Sequence, residues 1–316
     1  MNPNSEVIIM LCSHLLSGTD CKPYTPSEWS KLADTLLRAK LEPKALPDLS
    51  DSEFLDLKIG KDEIQRIRQL LRRGANLTFE LEKYNSMGIY VVTRADAAYP
   101  KMLKHRLGKS CPPLFYYAGN LSLAGTKTIG FVGSRGADEN DQHFTEKIVY
   151  TVNKLGYSTV SGGAKGIDTI AGEASLKNGC VYVAYLADSM VKRIRNSHTI
   201  KAIQNGRVLL MSAVSPDTGF TAATAMMRNR YIYAQSSATV VVHSDYKKGG
   251  TWAGAADCLK HDICPEFCWD NKNYRGNQEL IKLGAIPITE DWNGDVSKIP
   301  EKQEEAVQLS LFDETG

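Results

Sequence analysis

Four short clusters in the 316-residue chain combine glycine, hydroxyl and cationic side chains in a way suited to holding phosphate. The first, Gly133-Ser134-Arg135, follows the apolar run Thr128–Val132, so an arginine and a hydroxyl emerge at the carboxyl end of a strand. That end is where open α/β sheets bind ligands. The second, Ser161-Gly162-Gly163-Ala164-Lys165-Gly166-Ile167-Asp168, is a glycine-rich turn opening a helix. Glycines let backbone approach an anion closely, the helix N-terminus offers free N–H groups, and Lys165 adds a full positive charge. The third is Arg228-Asn229-Arg230 and the fourth Gly249-Gly250-Thr251, again before a helix. Arginines two apart point to different helix faces, so one of Arg228 and Arg230 is expected at a shared pocket and the other in a structural role. The candidate phosphate ligands are Gly133, Ser134, Arg135, Ser161, Gly162, Gly163, Lys165, Gly166, Arg228, Arg230, Gly250 and Thr251.

Neither G-x-G-x-x-G nor G-x-x-x-x-G-K-[ST] is present, which argues against a dinucleotide site or a nucleotide triphosphatase. Asp168, in the first turn of a helix, is more simply a partner of the helix dipole than a catalytic acid. Cys258-x2-His261-x2-Cys264-x3-Cys268 matches no common zinc module, and we read it as core or free thiols. No catalytic residue, metal or cofactor is expected. Seven cysteines, an odd number without framework spacing, point to reduced thiols.

The elements that must position these clusters alternate. Apolar runs at Thr128–Val132, Tyr157–Val160, Cys180–Leu186, Val208–Met211, Ala238–Val242 and Ile263–Phe267 are separated by helix-length stretches near 140–155, 166–178, 197–205, 221–235 and 251–260. Uniformly apolar strands between helices predict a parallel, doubly wound α/β sheet. Upstream, 1–80 reads as a small helical domain, with helical spacing in Val7–Leu16 and Trp29–Leu37, an acidic turn at Asp48–Glu53 and a helix at Lys61–Arg73. Arginines 66, 68, 72 and 73 of that helix form either a solvated face, the simpler reading, or a DNA-contacting one. A β-rich run at Ile89–Thr93 begins the larger domain, taken as 81–292.

Apolar residues make up 42% and charged residues 23%, as in ordinary globular proteins. Without a long apolar stretch or a basic signal start, no membrane partner and a cytoplasmic location are expected. Net charge is +2, yet residues 301–316 hold one lysine against five acids, so the body is more basic than the total. Residues 293–316 are expected to be a flexible acidic tail. Within it, Gln308-Leu309-Ser310-Leu311-Phe312 looks like the peptide by which replication and repair proteins bind the bacterial sliding clamp; fold-back docking and chance remain alternatives.

The four clusters in this order resemble the DNA-processing protein A (DprA/Smf) family, with eight consecutive matching positions at 161–168 and likeness over about 6–290. Gly88–Thr93, Tyr99–Leu103 and Pro113–Gly119 resemble that family's extended Rossmann-like segment, and the helical amino terminus its sterile-alpha-motif-type domain. The resemblance implies sequence-tolerant binding of single-stranded DNA without catalysis, with Arg135 and Lys165 as DNA contacts, homodimerisation, and delivery to the RecA recombinase. The chain departs from the family at Ala171-Gly172, Lys192–Asn196, Ser212-Ala213 and His243, and lacks the winged-helix domain of many members. Such departures leave open a role in phage defence or beside a toxin partner. A rival reading is a Rossmann-like nucleotide sensor or phosphoribohydrolase-like enzyme, whose Pro-Gly-Gly-x-Gly-Thr loop Gly249-Gly250-Thr251 resembles without the proline or a following glutamate. A third is a pure protein–protein regulator.

Overall fold

The computed structural model describes residues 2–16 and 21–296. The chain divides into two units, Met1–Tyr99 with Gly108–Tyr116, and Pro100–Leu107 with Tyr117–Pro300.

The first unit contains α1 (Pro3–Cys12), α2 (Pro26–Arg38), α3 (Asp51–Asp56), α4 (Lys61–Leu71), α5 (Gly74–Ser86) and β1 (Tyr90–Thr93). Thr25 and Ser50 start α2 and α3 through reciprocal caps with Glu28 and Glu53, which satisfy N–H groups the first helical turn leaves free. Three of the four arginines around α4 bind the protein itself, so they do not form a uniformly solvated face. Arg66 donates to the carbonyls of Lys22 (3.1 Å) and Pro23 (3.2 Å) and pairs with Glu28 at 2.9 Å. Arg68 donates to the Pro47 carbonyl at 3.2 Å and pairs with Asp51, while buried Arg73 donates to Met10 and Ser13 carbonyls. Three guanidinium groups thus tie irregular segments to the helices, and Arg72 is the exposed one.

Between the units' segments lie α6 (Lys101–Leu107), in the second unit, and β2 (Leu114–Gly119), whose residues fall three in each. The second unit continues with β3 (Thr128–Val132), α7 (Glu139–Lys154), β4 (Ser158–Ser161), α8 (Ile167–Lys177), β5 (Tyr182–Tyr185), α9 (Met190–Arg193), α10 (Ser197–Gln204) and β6 (Val208–Ser212). It ends with α11 (Ala222–Gln235), β7 (Ala238–Val241), α12 (Gly249–His261), β8 (Glu266–Trp269), α13 (Arg275–Lys282) and β9 (Ile286–Ile288). Strands β3 to β9 lie in the order β6-β5-β4-β3-β7-β8-β9, each parallel to its neighbours. This is the expected parallel α/β sheet.

Side chains of β3 alternate between two layers. Ile129 and Phe131 join Phe144 and Ile148 of α7 and Ile167 and Ala171 of α8 in one core. On the other face the Thr128 hydroxyl donates to the Gln235 carbonyl of α11 at 3.1 Å, and a β-carbon on Gly130 would lie 2.5 Å from Ser236 Oγ. Strand β3 pairs with β4 through Ile129↔Thr159 and with β7 through Ile129↔Ala238. Chain order therefore reverses at β3/β7, the position in an open α/β sheet at whose carboxyl ends ligands are bound.

Candidate nucleic-acid interface

The turns after β3 and β4 interlock. Ser134 accepts a hydrogen bond on its carbonyl from the Ile167 N–H at 3.2 Å. Gly166 has φ +78°, and a β-carbon there would stand 2.2 Å from that same carbonyl oxygen, so only glycine lets the turns meet. Likewise a β-carbon on Gly133 would sit 2.4 Å from the Ile167 side chain. This contact brings two exposed cations, Arg135 and Lys165, to neighbouring positions at the start of α8, a helix with no side-chain cap. The Arg135 guanidinium lies over the half-exposed Phe220 ring at 4.4 Å, and Ser134 Oγ accepts the Gly136 N–H at 3.1 Å.

The 161–168 turn is held from beneath. Asp168 Oδ2 accepts the Ala164 N–H at 3.2 Å and pairs with Arg228 at 3.2 Å, with side chains only 9% and 7% exposed. The Arg228 guanidinium lies on Gly162, where a β-carbon would be 1.0 Å from Nη1. Ser161 is fully buried and donates its hydroxyl to the Phe131 carbonyl at 2.6 Å, fastening β4 to β3. Ser161, Gly162 and Arg228, expected as ligands, are buried and shape the turn. Arg230 points elsewhere and pairs with Asp257 of α12 at 3.2 Å.

Arg193, in the Lys192–Asn196 departure, donates to the Gly163 carbonyl and lies 3.7 Å from Asp188. The sequence showed it as a basic residue but gave no sign that α9 would carry it to a turn 30 positions earlier. Gly172, another departure, lies under Tyr182; a β-carbon would be 2.6 Å from that ring, which fills the space a larger residue would need.

The far wall is α12. Thr251 Oγ donates to the Gly133 carbonyl at 2.9 Å, and Asn229 Nδ2 to the Gly250 carbonyl at 3.1 Å, so the middle residue of Arg-Asn-Arg anchors this helix start. No side chain caps α12, whose first residue Gly249 (φ +77°) is exposed, as are Lys247 and Lys248 before it. Beside this wall His243 Nδ1 lies 2.8 Å from Asp141 Oδ2, and its ring stacks on Tyr274 at 3.8 Å. The Asp141 hydrogen bond raises the His243 pKa, against the effect of burial. Burial pushes Asp141 up, but hydrogen bonds from His243, Tyr274 and the Asp138 backbone hold it below the usual carboxylate value.

The arrangement offers cations, two uncapped helix N-termini and glycine backbone to an extended anion. These are the kinds of group that hold phosphate where they converge. A family model described as DNA recombination-mediator protein A matches residues 90–294. The chain belongs to that family.

Within the recombination-mediator family, the chain is 28% identical to Protein Smf of Synechocystis sp. over 235 residues, 66% of this chain and 57% of that protein. It is 34% identical to DNA processing protein DprA of Streptococcus pneumoniae over 117 residues, 37% of this chain and 38% of that one. The chain thus spans about half the length of the curated relatives it matches. Its fold is similar to the crystal structure of the S. pneumoniae protein, with TM-score 0.70 and 21% identity over 90% of this chain and 94% of that one. It is also similar to DNA processing protein A of Helicobacter pylori, studied for its single-stranded DNA binding mode, with TM-score 0.52 and 24% identity over 63% of this chain and 90% of that one.

The clamp-like residues Gln308, Leu309, Leu311 and Phe312 lie outside the described residues. Among the described residues no disulfide joins any of the seven cysteines, and no group of three or more His, Cys, Asp or Glu is placed to hold a metal ion. Among the same residues no helix is long and apolar enough to cross a membrane.

Proposed function

We propose that this chain binds single-stranded DNA through its backbone phosphates, as a non-catalytic member of the recombination-mediator family acting in the cytoplasm. Arg135 and Lys165 supply the principal charges, Arg193 adds a third, and Gly133, Ser134, Gly163, Gly166, Gly250 and Thr251 form the backbone-lined floor. The observation that carries the reading is the seating of Gly166 on the Ser134 carbonyl, which sets the two exposed cations side by side at an uncapped helix start. Phosphates are the one feature every strand shares, so such a surface binds without regard to sequence and weakens as salt rises. The H. pylori relative's single-stranded DNA binding supports the same ligand class. Homodimerisation, transfer of the strand to a RecA-type recombinase or pairing with a toxin in phage defence, and clamp binding through 308–312 complete the proposal.

Fluorescence anisotropy of labelled oligothymidylate at two salt concentrations tests it. Salt-sensitive binding that is lost in the Arg135→Ala/Lys165→Ala double variant is expected. Absence of binding by the wild type, with thermal stabilisation by a mononucleotide, would replace it with the nucleotide-sensor reading.

A further inference from the structure

We propose that Tyr246 and Trp252 form a nucleobase-stacking subsite next to the phosphate turns. The inference rests on the single-strand reading above and concerns the part of the ligand that phosphate contacts leave untouched.

Tyr246 and Trp252 stand on either side of the uncapped start of α12, both partly exposed, their ring centroids 4.9 Å apart and planes at 82°. Cations surround the pair: Lys247 Nζ lies 5.1 Å and Arg275 Cζ 4.8 Å from the Tyr246 ring centroid, and Lys248 is exposed nearby. The one exposed acid in this loop is Asp245. Partly open aromatic rings among cations match what single strands need, because every base has a π-face to stack and every nucleotide a phosphate to neutralise. Arg275 and Lys247 already lie against the Tyr246 ring, so an incoming base displaces one of them toward the phosphate beside it.

The loop carrying Tyr246 is fixed in advance. Asn277 Oδ1 accepts the Ser244 N–H at 2.8 Å, and Asn277 Nδ2 donates to the Val242 and Trp269 carbonyls at 2.9 Å each. A β-carbon on Gly276 would lie 2.0 Å from the Ser244 oxygen, so α13 begins directly against the loop. Lys247 adopts φ 55°, a conformation that costs a non-glycine residue and is kept only where its surroundings impose it. Such a loop has little freedom left to lose on binding. Trp252 follows Thr251, whose hydroxyl reaches Gly133, so the aromatic pair adjoins the β3 turn that carries Arg135.

The test compares oligothymidylate with an abasic strand of equal length and phosphate count. Wild type is expected to prefer the base-bearing strand by roughly tenfold or more, the scale of one stacked base. Tyr246→Ala should lose most of that preference with little change in abasic affinity, and Tyr246→Phe should keep it. Base-bearing strand should quench tryptophan emission in the wild type, and Trp252→Phe should abolish the base-dependent part. An undiminished preference in Tyr246→Ala, with unchanged quenching in Trp252→Phe, would overturn the subsite and leave the phosphate reading standing. Failure of the wild type to bind either strand would overturn the single-strand reading itself.

Discussion

Arg228 lies so close on Gly162 that a β-carbon there would stand 1.0 Å from its guanidinium nitrogen, and the same guanidinium neutralises buried Asp168. The two residues are 66 positions apart on different elements, yet the shape of the 161–168 turn depends on their contact.

Gly162→Ala must push Arg228 off Asp168 and leave both charges buried without each other. Breaking a buried pair in this way costs roughly 3–5 kcal/mol, and Arg228→Ala should cost a similar amount. A double variant, Arg228→Met/Asp168→Leu, should be less destabilised than the single Arg228→Ala because no charge remains to be buried. Urea denaturation measures all three; equal destabilisation of the single and the double variant would show that the pair does not carry the turn.

Arg135→Ala and Lys165→Ala should each weaken oligothymidylate binding by roughly 1–3 kcal/mol, the range for hydrogen bonds to charged groups. Each should also reduce the slope of log affinity against log salt by about 1, the signature of one lost phosphate contact. Arg230→Ala, which removes a partner of Asp257, should leave the slope unchanged.

His243 and Asp141 give the fold a pH dependence whose sign follows from their shifts. The His243 pKa is raised by the Asp141 hydrogen bond, so its stabilisation is complete below the unfolded value and fades as pH rises through the folded one. Asp141 is lowered despite burial, so its contribution is present above the unfolded carboxylate value and is lost as pH falls through the folded one. Asp138 and Asp245 face the pair as acids that add to the rise at His243, and burial together with the Asp141 hydrogen bond pushes the Tyr274 hydroxyl above the ordinary tyrosine value. The difference in melting temperature between wild type and His243→Gln should therefore be largest in mildly acid buffer and shrink above neutrality. A difference that stays constant from about pH 5 to 9 would contradict the assignment.

Deleting residues 303–316 should leave single-strand binding unchanged and remove binding to the sliding clamp. Surface plasmon resonance on immobilised clamp decides this, and clamp binding retained by the truncated chain would refute the role given to Gln308, Leu309, Leu311 and Phe312.

The strands of the sheet were readable because each is a short apolar run between helix-length segments; Thr128–Val132 was placed to the residue. Elements with weak local signals were missed. Helix α5 has Leu77 and Tyr84 as its buried side chains, α9 is a single turn, and β9 is three residues with Pro287 at its centre. The run read at Ile263–Phe267 forms its strand at Glu266–Trp269, because α12 continues to His261 and Asp262 closes it in a left-handed conformation. On the turns after β3 and β4, the exposed positions of Arg135 and Lys165 were legible because a cation beside glycines at a strand end is a local pattern. The burial of Ser161 and Arg228 was not, since it depends on Phe131 and Asp168, which lie 30 and 60 positions away. Arg193 was hidden for the same reason.

The hydrogen bond from Thr251 to Gly133 joins residues 118 positions apart, and that separation is also an interval of time. At synthesis rates of about 5–20 residues per second, the β3 turn leaves the ribosome roughly 6–24 s before the α12 wall against which it closes. During that interval the growing polypeptide carries Arg135, and soon Lys165, on a half-built edge. The site is thus a product of finished synthesis, and only the full sheet brings the β3 turn and the start of α12 together.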